Sequence, residues 1–357
     1  MEKIERLEYK EVTQKEASVL LLAPGIFNKN GGMFSYAALW SDEITKLNSN
    51  STFVLDTKYA DERLSEVSYH SFFSEKKKLA QLIAFLCFLL PTVITAPLFA
   101  DYLKLAKSKN TSHILTSSLL AYPIIRTLLW RHKKLKVIYT LHDPKPHDEK
   151  ISPIAKKIKT SFLNRLYQMS KENANFYLHI HSEALLNDCP EDIKRVIIHP
   201  HPLPRTLVKK QARTRRKTKF GFMGRIEAYK GLDILLEAFK TIGKEKDLCE
   251  RIELIIVGRG DFEKEGWQRL DLDVTIENRV VTEMEFHTYM ADLDCLILPY
   301  KKASQSGVGY LALAYNIPII ATNTGGLPEI VEQSKQEKSM LIPPGDSSRL
   351  IAAIRNF

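Results

Sequence analysis

Apolar and polar positions along this chain follow two alternating patterns, from one end to the other. Short uncharged runs at residues 18–23, 220–223 and 295–300 are typical of parallel strands that are buried on both faces. Longer segments, such as residues 232–242, place apolar residues every three or four positions and predict helices. Strand and helix alternate in this way in both halves. The pattern therefore predicts an α/β fold made of two Rossmann-like domains.

The chain has 357 residues, more than a single hydrophobic core normally supports, so two domains are expected. We place them at residues 1–205 and 206–357. From Arg205 to Lys219 the chain has eight basic residues and no acidic one, and we interpret this segment as the interdomain linker. An arm that binds nucleic acid is the alternative. The segment has neither interleaved aromatic residues nor a known binding motif, so we expect no nucleic-acid partner.

Composition narrows the classes of protein and partner. Hydrophobic residues make up 44% and charged residues 26% of the chain, which is typical of a globular protein rather than a disordered one. The formal net charge of +10 favours an anionic partner, such as a phosphorylated substrate or an acidic membrane surface. The four cysteines show no Cys-x-x-Cys spacing, and the polar N-terminal residues do not resemble a signal peptide. We expect a cytoplasmic protein.

Residues 79–100 contain no charged side chain, and 22 such residues are long enough to cross a bilayer as one helix. Pro91 and Pro97 would interrupt that helix. The strands expected before and after the stretch also belong to one sheet, which a single crossing would divide. Both arguments oppose a full span, and two alternatives are favoured over it. The stretch is either a helix buried in the domain, or a helix in the membrane interface beside the lysines at 76–78, which would make residues 76–100 a peripheral membrane contact.

The strongest candidate for an anion site follows the strand at 220–223. Gly224 ends that strand, Arg225 follows at once, and Lys230 comes five residues later, where a helix is about to begin. A glycine turn before a helix directs backbone N–H groups and the positive end of the helix at one point. Arg225 and Lys230 add a rigid guanidinium and a mobile ammonium group, which suit two linked phosphates. As the alternative, both are solvated side chains on an ordinary turn.

Two further candidates lie in the first half. Gly31 and Gly32 precede a predicted helix, where glycines let a ligand approach the backbone closely. His142 and Asp143 end a strand, at the edge where open α/β sheets bind their ligands, and His147 follows in the same loop. A plain tight turn and a histidine that caps a strand end are the alternatives.

The second half resembles the family-4 glycosyltransferases, which have the GT-B fold. Five segments carry the resemblance in the family's order: GRIEAYKGLDILLEAF, ELIIVGRGD, ADLDCLILPY, IPIIATNTGGLPEIV and LIPPGD. The first half adds the glycine pair and the segment HDPKPH, so the resemblance covers nearly the whole chain. It implies two Rossmann-like domains that face each other across a cleft. It also implies sugar transfer from a nucleotide diphosphate sugar, with the anomeric configuration retained.

The resemblance assigns Arg225 and Lys230 to the diphosphate of the donor. The leaving group of such a transfer is a nucleoside diphosphate, whose negative charge grows in the transition state. Cations already in place there lower the barrier. We therefore expect no metal and no cofactor besides the nucleotide sugar itself.

The other candidates also match positions in the family. His142 matches a histidine near the donor sugar. Gly31 and Gly32 would approach the diphosphate or the acceptor. Gly258 and Gly260 resemble the turn beneath the nucleotide base.

One departure concerns two glutamates that face the sugar and the ribose in the family. Counted back from Pro318, their places hold Ala303 and Leu311. The segment reads SQSG instead, and we expect its backbone N–H groups to bind phosphate and its side chains to bond sugar hydroxyls. These residues are Ser304, Gln305, Ser306 and Gly307. Glu329 is the nearest remaining carboxylate in a matching segment, and a first-turn helix acid is its alternative role.

Two Asp-x-Asp sequences, at residues 271–273 and 292–294, would suggest a metal site for a sugar nucleotide. The second precedes a strand instead of following one, so its aspartates would lie at the wrong edge of the sheet. We expect no metal site.

These observations predict a metal-independent, retaining glycosyltransferase at the cytoplasmic face of a membrane, acting on a lipid-linked or polysaccharide glycan. A non-catalytic subunit or membrane-associated scaffold that keeps the fold is the main alternative, favoured by Ala303 and Leu311. A nucleotide-sugar epimerase is a further one, but it needs carboxylates for acid–base chemistry, and this sequence offers few.

Overall fold

The computed structural model describes most of the chain, in twelve stretches. These are residues 6–9, 18–23, 32–47, 51–55, 67–69, 86–87, 90–115, 119–145, 152–204, 207–209, 217–262 and 264–357. The chain divides into two compact units, Met1–Pro202 and Leu203–Phe357.

The described residues of the first unit form one parallel sheet. Its strands are β1 (Arg6–Leu7), β2 (Val19–Ala23), β3 (Thr52–Leu55), β4 (Val67–Tyr69), β5 (Thr111–Ile114), β6 (Lys136–Thr140), β7 (Phe176–Ile180) and β8 (Val196–Ile198). Their order across the sheet is β1-β8-β7-β6-β5-β2-β3-β4. All pairings are parallel, and every residue of β2 and β5 is buried. The order reverses between β2 and β5, which makes the carboxyl ends of these strands the expected ligand edge.

Helices cover both faces of this sheet. They are α1 (Gly32–Leu47), α2 (Thr92–Thr95), α3 (Ala100–Ala106), α4 (Ala121–Arg131), α5 (Pro153–Glu172) and α6 (Glu183–Leu186). On one face Trp40 of α1 packs in a core with Val19 of β2, and on the other Leu128 of α4 packs in a core with Leu20. Successive residues of β2 thus belong to different cores, as the alternation of side chains along a strand requires.

The second unit is built in the same way. Its strands are β9 (Thr218–Met223), β10 (Ile252–Val257), β11 (Asp273–Glu277), β12 (Cys295–Leu298), β13 (Ile319–Thr322) and β14 (Met340–Ile342). They pair in parallel in the order β11-β10-β9-β12-β13-β14, so the order reverses between β9 and β12.

The helices of the second unit follow the strands in turn. They are α7 (Leu232–Ile242), α8 (Lys246–Cys249), α9 (Lys264–Gln268), α10 (Glu283–Asp292), α11 (Gly307–Ala314), α12 (Leu327–Gln333) and α13 (Ser347–Arg355). In α7 the buried residues recur at helical spacing, as at Leu235, Ala238 and Phe239. The α/β fold with two domains, predicted from this alternation, is confirmed.

The uncharged stretch at 79–100 is not one continuous helix where it is described. Pro91 precedes α2, and Pro97 lies in a 3₁₀ turn, Ala96–Phe99, between α2 and α3. Phe99 is buried in the core, whereas Val93 and Ile94 are exposed. No helix in the described residues is long and apolar enough to cross a membrane. Residues 76–85 and 88–89, which include the lysines at 76–78, lie outside the described residues.

Candidate functional site

The turn after β9 places the ammonium group of Lys230 inside the second unit. Ala228–Lys230 form a 3₁₀ turn, and α7 begins two residues later. Lys230 is only 9% exposed; its Nζ donates a hydrogen bond to the hydroxyl of Tyr300 (3.0 Å) and lies 4.7 Å from the centre of that ring. Among the described residues, no carboxylate forms an ion pair with this Nζ. Because a buried cation without a counter-charge is costly, the arrangement favours the binding of an anion.

Lys230 lies where the order of the second sheet reverses. A Cβ atom on Gly224, directly after β9, would lie 3.4 Å from Nζ and 3.3 Å from Val308 of α11. Tyr300 comes two residues after β12, the strand that pairs with β9. The structure thus brings Gly224 and Lys230 together at the edge where open α/β sheets bind ligands.

Arg225 lies on the exposed side of the same turn. Its side chain is 76% exposed, and its guanidinium pairs with Glu227 (2.8 Å). Exposed ion pairs contribute little stability, so the guanidinium can exchange this carboxylate for a phosphate at low cost. Burial and the nearby Glu227 carboxylate raise the pKa of Tyr229, which stays protonated beside the pair.

A second turn, after β10, lies directly against the first. The backbone N–H of Gly224 donates to the carbonyl of Val257 (2.9 Å), and a Cβ on Gly258 would lie 1.8 Å from the Gly224 carbonyl oxygen. Only glycine fits there. Gly260 is fixed by Asn278, which accepts from its N–H and donates to its carbonyl (3.1 Å each). The two predicted glycine turns therefore form one continuous surface.

The SQSG segment begins helix α11 beside Lys230. Ser306 caps the helix, since its Oγ accepts from the N–H of Gly309 (3.1 Å), and the same Oγ lies 3.3 Å from the Tyr300 hydroxyl. Gly307, the first residue of α11, is exposed. Tyr300 thus links the ammonium group of Lys230 to a helix N-terminus, where N–H groups and the helix dipole favour negative charge.

Gln305 carries two buried polar atoms, Nε2 and Oε1, that have no hydrogen-bond partner in the described part of the chain. Its amide lies against the turn before α12, where a Cβ on Gly326 would lie 2.5 Å from Nε2. Ser304 is buried in the same loop, and its carbonyl accepts from the N–H of Gly326 (3.1 Å). Buried polar atoms normally have partners, so the Gln305 amide keeps unused hydrogen-bonding capacity.

Ala303 and Leu311 are the residues that the resemblance to the family-4 enzymes aligns with two glutamates. Ala303 is buried, and its carbonyl lies where a Cβ on Gly325 would be 1.7 Å away, so the loop is closely packed there. Glu329 is partly buried in the first turn of α12, three residues after Gly326. Glu329 therefore lies on the helix whose preceding turn packs against Ser304 and Gln305.

Three aspartates of the Asp-x-Asp sequences make structural contacts at the opposite edge of the sheet. Asp292 pairs with Lys219 at the start of β9 (2.5 Å), and Asp294 accepts from the backbone N–H of Lys219 (3.0 Å). Asp273 pairs with Lys217 (2.6 Å). Nowhere in the described residues are three or more His, Cys, Asp or Glu side chains grouped to hold a metal ion.

In the first unit, His142 follows β6 at the carboxyl edge of the sheet. Its Nε2 donates to the carbonyl of Leu115 after β5 (2.9 Å), which leaves Nδ1 as the basic ring nitrogen. Burial lowers the pKa of His142, so the ring is neutral at pH 7. Gly32 is the first residue of α1. Gly31 and His147 lie outside the described residues.

A row of hydrogen-bonded side chains crosses the first sheet close to His142. The Tyr9 hydroxyl pairs with His113 Nδ1 (2.9 Å), and His113 Nε2 pairs with Thr140 (2.8 Å). Thr140 pairs in turn with His179 Nδ1 (3.0 Å), and His179 Nε2 donates to the carbonyl of His199 (3.0 Å). Burial lowers the pKa of His113 and His179 well below 6.5. Because that last carbonyl only accepts and both rings are neutral, every donor in the row points from Tyr9 towards His199.

Tyr36 of α1 packs between His142 and two further histidines beside this row. Its hydroxyl donates to Nε2 of His181 (3.1 Å), and its ring meets His142 and His201 edge-on, with centroids 4.8 and 4.9 Å away. Burial lowers the pKa of His181 strongly and that of His201 to about 4. His142 is therefore held by packed, uncharged rings.

The sequence patterns do not predict three residues that shape these surfaces: Tyr300, Asn278 and Tyr36. Tyr300 ends the apolar run at 295–300, just after a strand at the expected ligand edge, and that position is a usable signal. Asn278 and Tyr36 carry no such signal, because their contacts join segments far apart in the sequence.

The chain is similar in sequence to known glycosyl transferases. Residues 217–357 match the family described as Glycosyl transferases group 1. A GDP-mannose-dependent alpha-(1-6)-phosphatidylinositol monomannoside mannosyltransferase of Mycobacterium tuberculosis is 29% identical over 164 residues, 43% of this chain and 42% of the relative. An uncharacterized 41.2 kDa protein in the cps region of Klebsiella pneumoniae is 25% identical over 137 residues, 38% of this chain and 36% of the relative. These matches span less than half of the length of the curated relatives.

Similarity to solved structures extends over nearly the whole chain. Anabaena HepE, solved in complex with UDP-glucose, superposes with a TM-score of 0.61 at 15% identity, over 96% of this chain and 89% of HepE. Sucrose-phosphate synthase from Thermosynechococcus elongatus gives a TM-score of 0.64 at 16% identity, over 95% of this chain and 88% of the synthase. At these identities the likeness shows the fold. The chain thus has the two-domain α/β fold of the GT-B glycosyltransferases.

Proposed function

We propose that the protein is a retaining glycosyltransferase of the family-4 type, which transfers a sugar from a nucleotide diphosphate sugar to a lipid-linked or polysaccharide glycan. The group 1 glycosyl transferase domain supports the reaction class. Two similar proteins support the donor class, since the name of one includes GDP-mannose and the other was solved with UDP-glucose.

The observation that carries the proposal is the position of Lys230. A buried ammonium group, hydrogen-bonded to Tyr300, lies beside a glycine turn and near the N-terminus of α11. A core position for a lysine is unfavourable unless the site has a use for its charge. A diphosphate is the ligand that such a combination of ammonium group, backbone N–H groups and helix dipole suits best.

The chemistry requires little else from the second unit. When the bond between the anomeric carbon and the diphosphate oxygen breaks, the leaving nucleoside diphosphate gains negative charge. Lys230 and the α11 N-terminus stabilise this charge, and Arg225 joins them after leaving Glu227. We propose on this basis that transfer needs no metal and no further cofactor.

Selectivity for the donor is assigned to the loops around this group. Gln305, with its two unpartnered amide atoms, and Ser304 are proposed to bond sugar or ribose hydroxyls, with Glu329 nearby. The turn at Gly258 and Gly260 is proposed to lie beneath the base.

In the first unit, the resemblance supports His142 as the residue that meets the donor sugar. Its neutral ring, with Nε2 committed to Leu115, offers Nδ1 to a hydroxyl. Gly31 and Gly32 are proposed to approach the diphosphate or the acceptor.

The acceptor is proposed to be a glycan presented at the cytoplasmic face of a membrane. The net charge of +10 and the uncharged stretch at 79–100 support a peripheral contact through residues 76–100. The mannosyltransferase relative supports a lipid-linked acceptor, because its name includes a phosphatidylinositol mannoside.

The test is to incubate the purified protein with a panel of nucleotide sugars and candidate glycans and to measure nucleoside diphosphate release. We expect release with one donor, and its loss in Lys230→Ala. Lys240→Ala, which removes an exposed lysine in the last turn of α7, is the matched control and retains activity. If no donor gives turnover and no nucleotide raises the thermal midpoint, the proposal is wrong.

A non-catalytic subunit of the same fold is the second candidate, because Ala303 and Leu311 stand where the family has glutamates. Arg225→Ala separates the two. In an enzyme this substitution abolishes transfer, whereas in a subunit it leaves complex formation with the partner enzyme unchanged.

A further inference from the structure

The first unit exposes a cluster of large apolar side chains that its core does not use. Among the described residues, twelve large apolar side chains are exposed, and five of them lie between residues 86 and 98. This apolar patch consists of Leu86 (45% exposed), Leu90 (40%), Val93 (64%), Ile94 (58%) and Leu98 (41%). Its members follow one another at steps of at most four residues in short helical turns, so they lie close together. Clusters of this kind on a soluble domain mark an interaction surface.

The patch is held firmly by the domain beneath it. The guanidinium of Arg126, on α4, donates to the carbonyls of Cys87 (3.0 Å) and Leu90 (2.7 Å) and lies 3.4 Å from the Thr95 hydroxyl. Cys87 and Phe99 are buried in the core that includes α4. The backbone is therefore pinned on one side, and the apolar side chains on the other side are exposed by the fold itself.

Basic side chains flank the patch. Residues 90–115 and 119–136 contain eight lysines and arginines and one acidic residue, Asp101. The ring of His132 pairs with the carbonyl of Leu103 (3.1 Å), which brings the end of α3 beside the end of α4. The exposed basic residues at these two helix ends are Lys104, Lys107, Arg131, Lys133 and Lys134. Trp130, 45% exposed, lies one turn beyond Arg126 on α4.

We infer that the apolar patch and these basic residues form a docking surface for an anionic lipid bilayer. The aliphatic side chains enter the boundary between headgroups and acyl chains, the tryptophan lies at headgroup level, and the lysines and arginines contact lipid phosphates. An anionic bilayer is a suitable partner because it has an apolar acyl-chain region beneath negatively charged headgroups. Its surface is also fluid, so it can adapt to the shape of the patch. The inference rests on the proposed function, because a bilayer bound at this surface would present the proposed lipid-linked acceptor to the enzyme.

The test is co-sedimentation of the full chain with vesicles, either of phosphatidylcholine alone or of phosphatidylcholine mixed with phosphatidylglycerol. We expect binding to the anionic vesicles, reduced by added salt, and weak binding to the neutral ones. The double variant Val93→Ser/Ile94→Ser loses about tenfold in affinity for the anionic vesicles, because both side chains enter the bilayer. The matched control is Val280→Ser/Met284→Ser, which removes two similarly exposed side chains from the second unit and binds as the parent does.

A second variant, Lys133→Glu/Lys134→Glu, tests the charged residues and reduces binding to the anionic vesicles only. Circular dichroism and thermal midpoints establish that each variant is folded. The inference is overturned if the parent does not bind anionic vesicles, or if Val93→Ser/Ile94→Ser binds them as the parent does. It is equally overturned if that variant turns a dimer into a monomer without changing vesicle binding, since the patch would then join two copies. Nucleotide binding, measured on the same variants, stays at the parent value, so failure here is distinguishable from failure of the donor site.

Discussion

The Nζ atom of Lys230 lies 3.0 Å from the hydroxyl oxygen of Tyr300, and both side chains are buried where β9 and β12 end. These two strands are neighbours in the sheet, although some 70 residues separate the pair in sequence. The contact forms because β9 and β12 lie side by side in the sheet, at the point where the order of the strands reverses. It gives an otherwise unfavourable buried ammonium group one neutral partner and leaves its charge available to an anion.

Tyr300→Phe removes the hydroxyl and keeps the ring over Nζ. We expect the affinity for nucleoside diphosphate to fall by up to about tenfold, because the ammonium group loses the bond that orients it. Calorimetric titration measures this. Tyr315→Phe, which removes a hydroxyl bonded to His287 and to the Val208 N–H, is the control and keeps the parent affinity. Equal affinities in all three proteins would show that the tyrosine does not orient Lys230.

Gly258→Ala tests the contact between the two glycine turns. The new Cβ would lie 1.8 Å from the Gly224 carbonyl oxygen, so the turns must separate, and we expect a loss of about 3 kcal/mol or more in the free energy of unfolding. Gly345→Ala is the control: its φ of +76° is strained for alanine, but nothing lies within 4 Å of the added atom. That change should cost about 1 kcal/mol. Urea denaturation compares the two, and similar losses would contradict the close approach.

The histidine-rich layer of the first unit makes stability depend on pH. Burial holds the pKa of His113, His179 and His181 well below 6.5, so the unfolded chain binds more protons than the folded one in mild acid. These groups therefore do not reduce the free energy of unfolding above about pH 6.5. As the pH falls below that value, each such group lowers the free energy of unfolding by up to about 1.4 kcal/mol per pH unit. Urea midpoints between neutral and mildly acid pH measure the slope.

His113→Gln should make the free energy of unfolding less dependent on pH, because about one proton fewer is taken up on unfolding. Thr140→Val breaks the same hydrogen-bonded row without removing a titrating group, so it should lower stability at every pH and leave the slope unchanged. A slope that is identical in the parent and in His113→Gln would mean that this ring does not titrate on unfolding.

Transfer should continue when divalent metals are removed. In the proposed reaction, Lys230, Arg225 and the α11 N-terminus supply the positive charge that the leaving diphosphate needs. Asp292 and Asp273 are paired with lysines at the other edge of the sheet. We expect the rate of nucleoside diphosphate release to be the same with and without EDTA. Loss of activity in EDTA, restored by Mg²⁺ or Mn²⁺, would refute metal independence.

Much of the fold follows from the sequence because local patterns determine it. The uncharged runs become the buried strands β2, β9 and β12, and the helical spacing at 232–242 becomes α7. Gly224 and Lys230 could be proposed together because they flank one strand–helix turn. The edge where they lie follows from the rule that ligands bind at the carboxyl ends of parallel strands.

The rest depends on pairings that no local pattern specifies. Tyr300 reaches Lys230, and Asn278 reaches Gly260, only because their strands are neighbours in the sheet. The row from Tyr9 to His199 likewise joins residues of β5, β6 and β7 to residues that follow β1 and β8. In the described part of the stretch at 79–100, Phe99 is buried and Val93 is exposed, so a contact with a membrane interface stays a prediction.

The central claim is that Lys230 binds the diphosphate of the donor, and equilibrium binding of a nucleoside diphosphate to Lys230→Met tests it most directly. Methionine keeps the unbranched side chain and removes the charge, so the variant should fold as the parent does. We expect its affinity to fall by about a hundredfold, as for the loss of a buried charged contact, while Lys240→Met binds as the parent does. Unchanged affinity in a folded Lys230→Met variant would contradict the account.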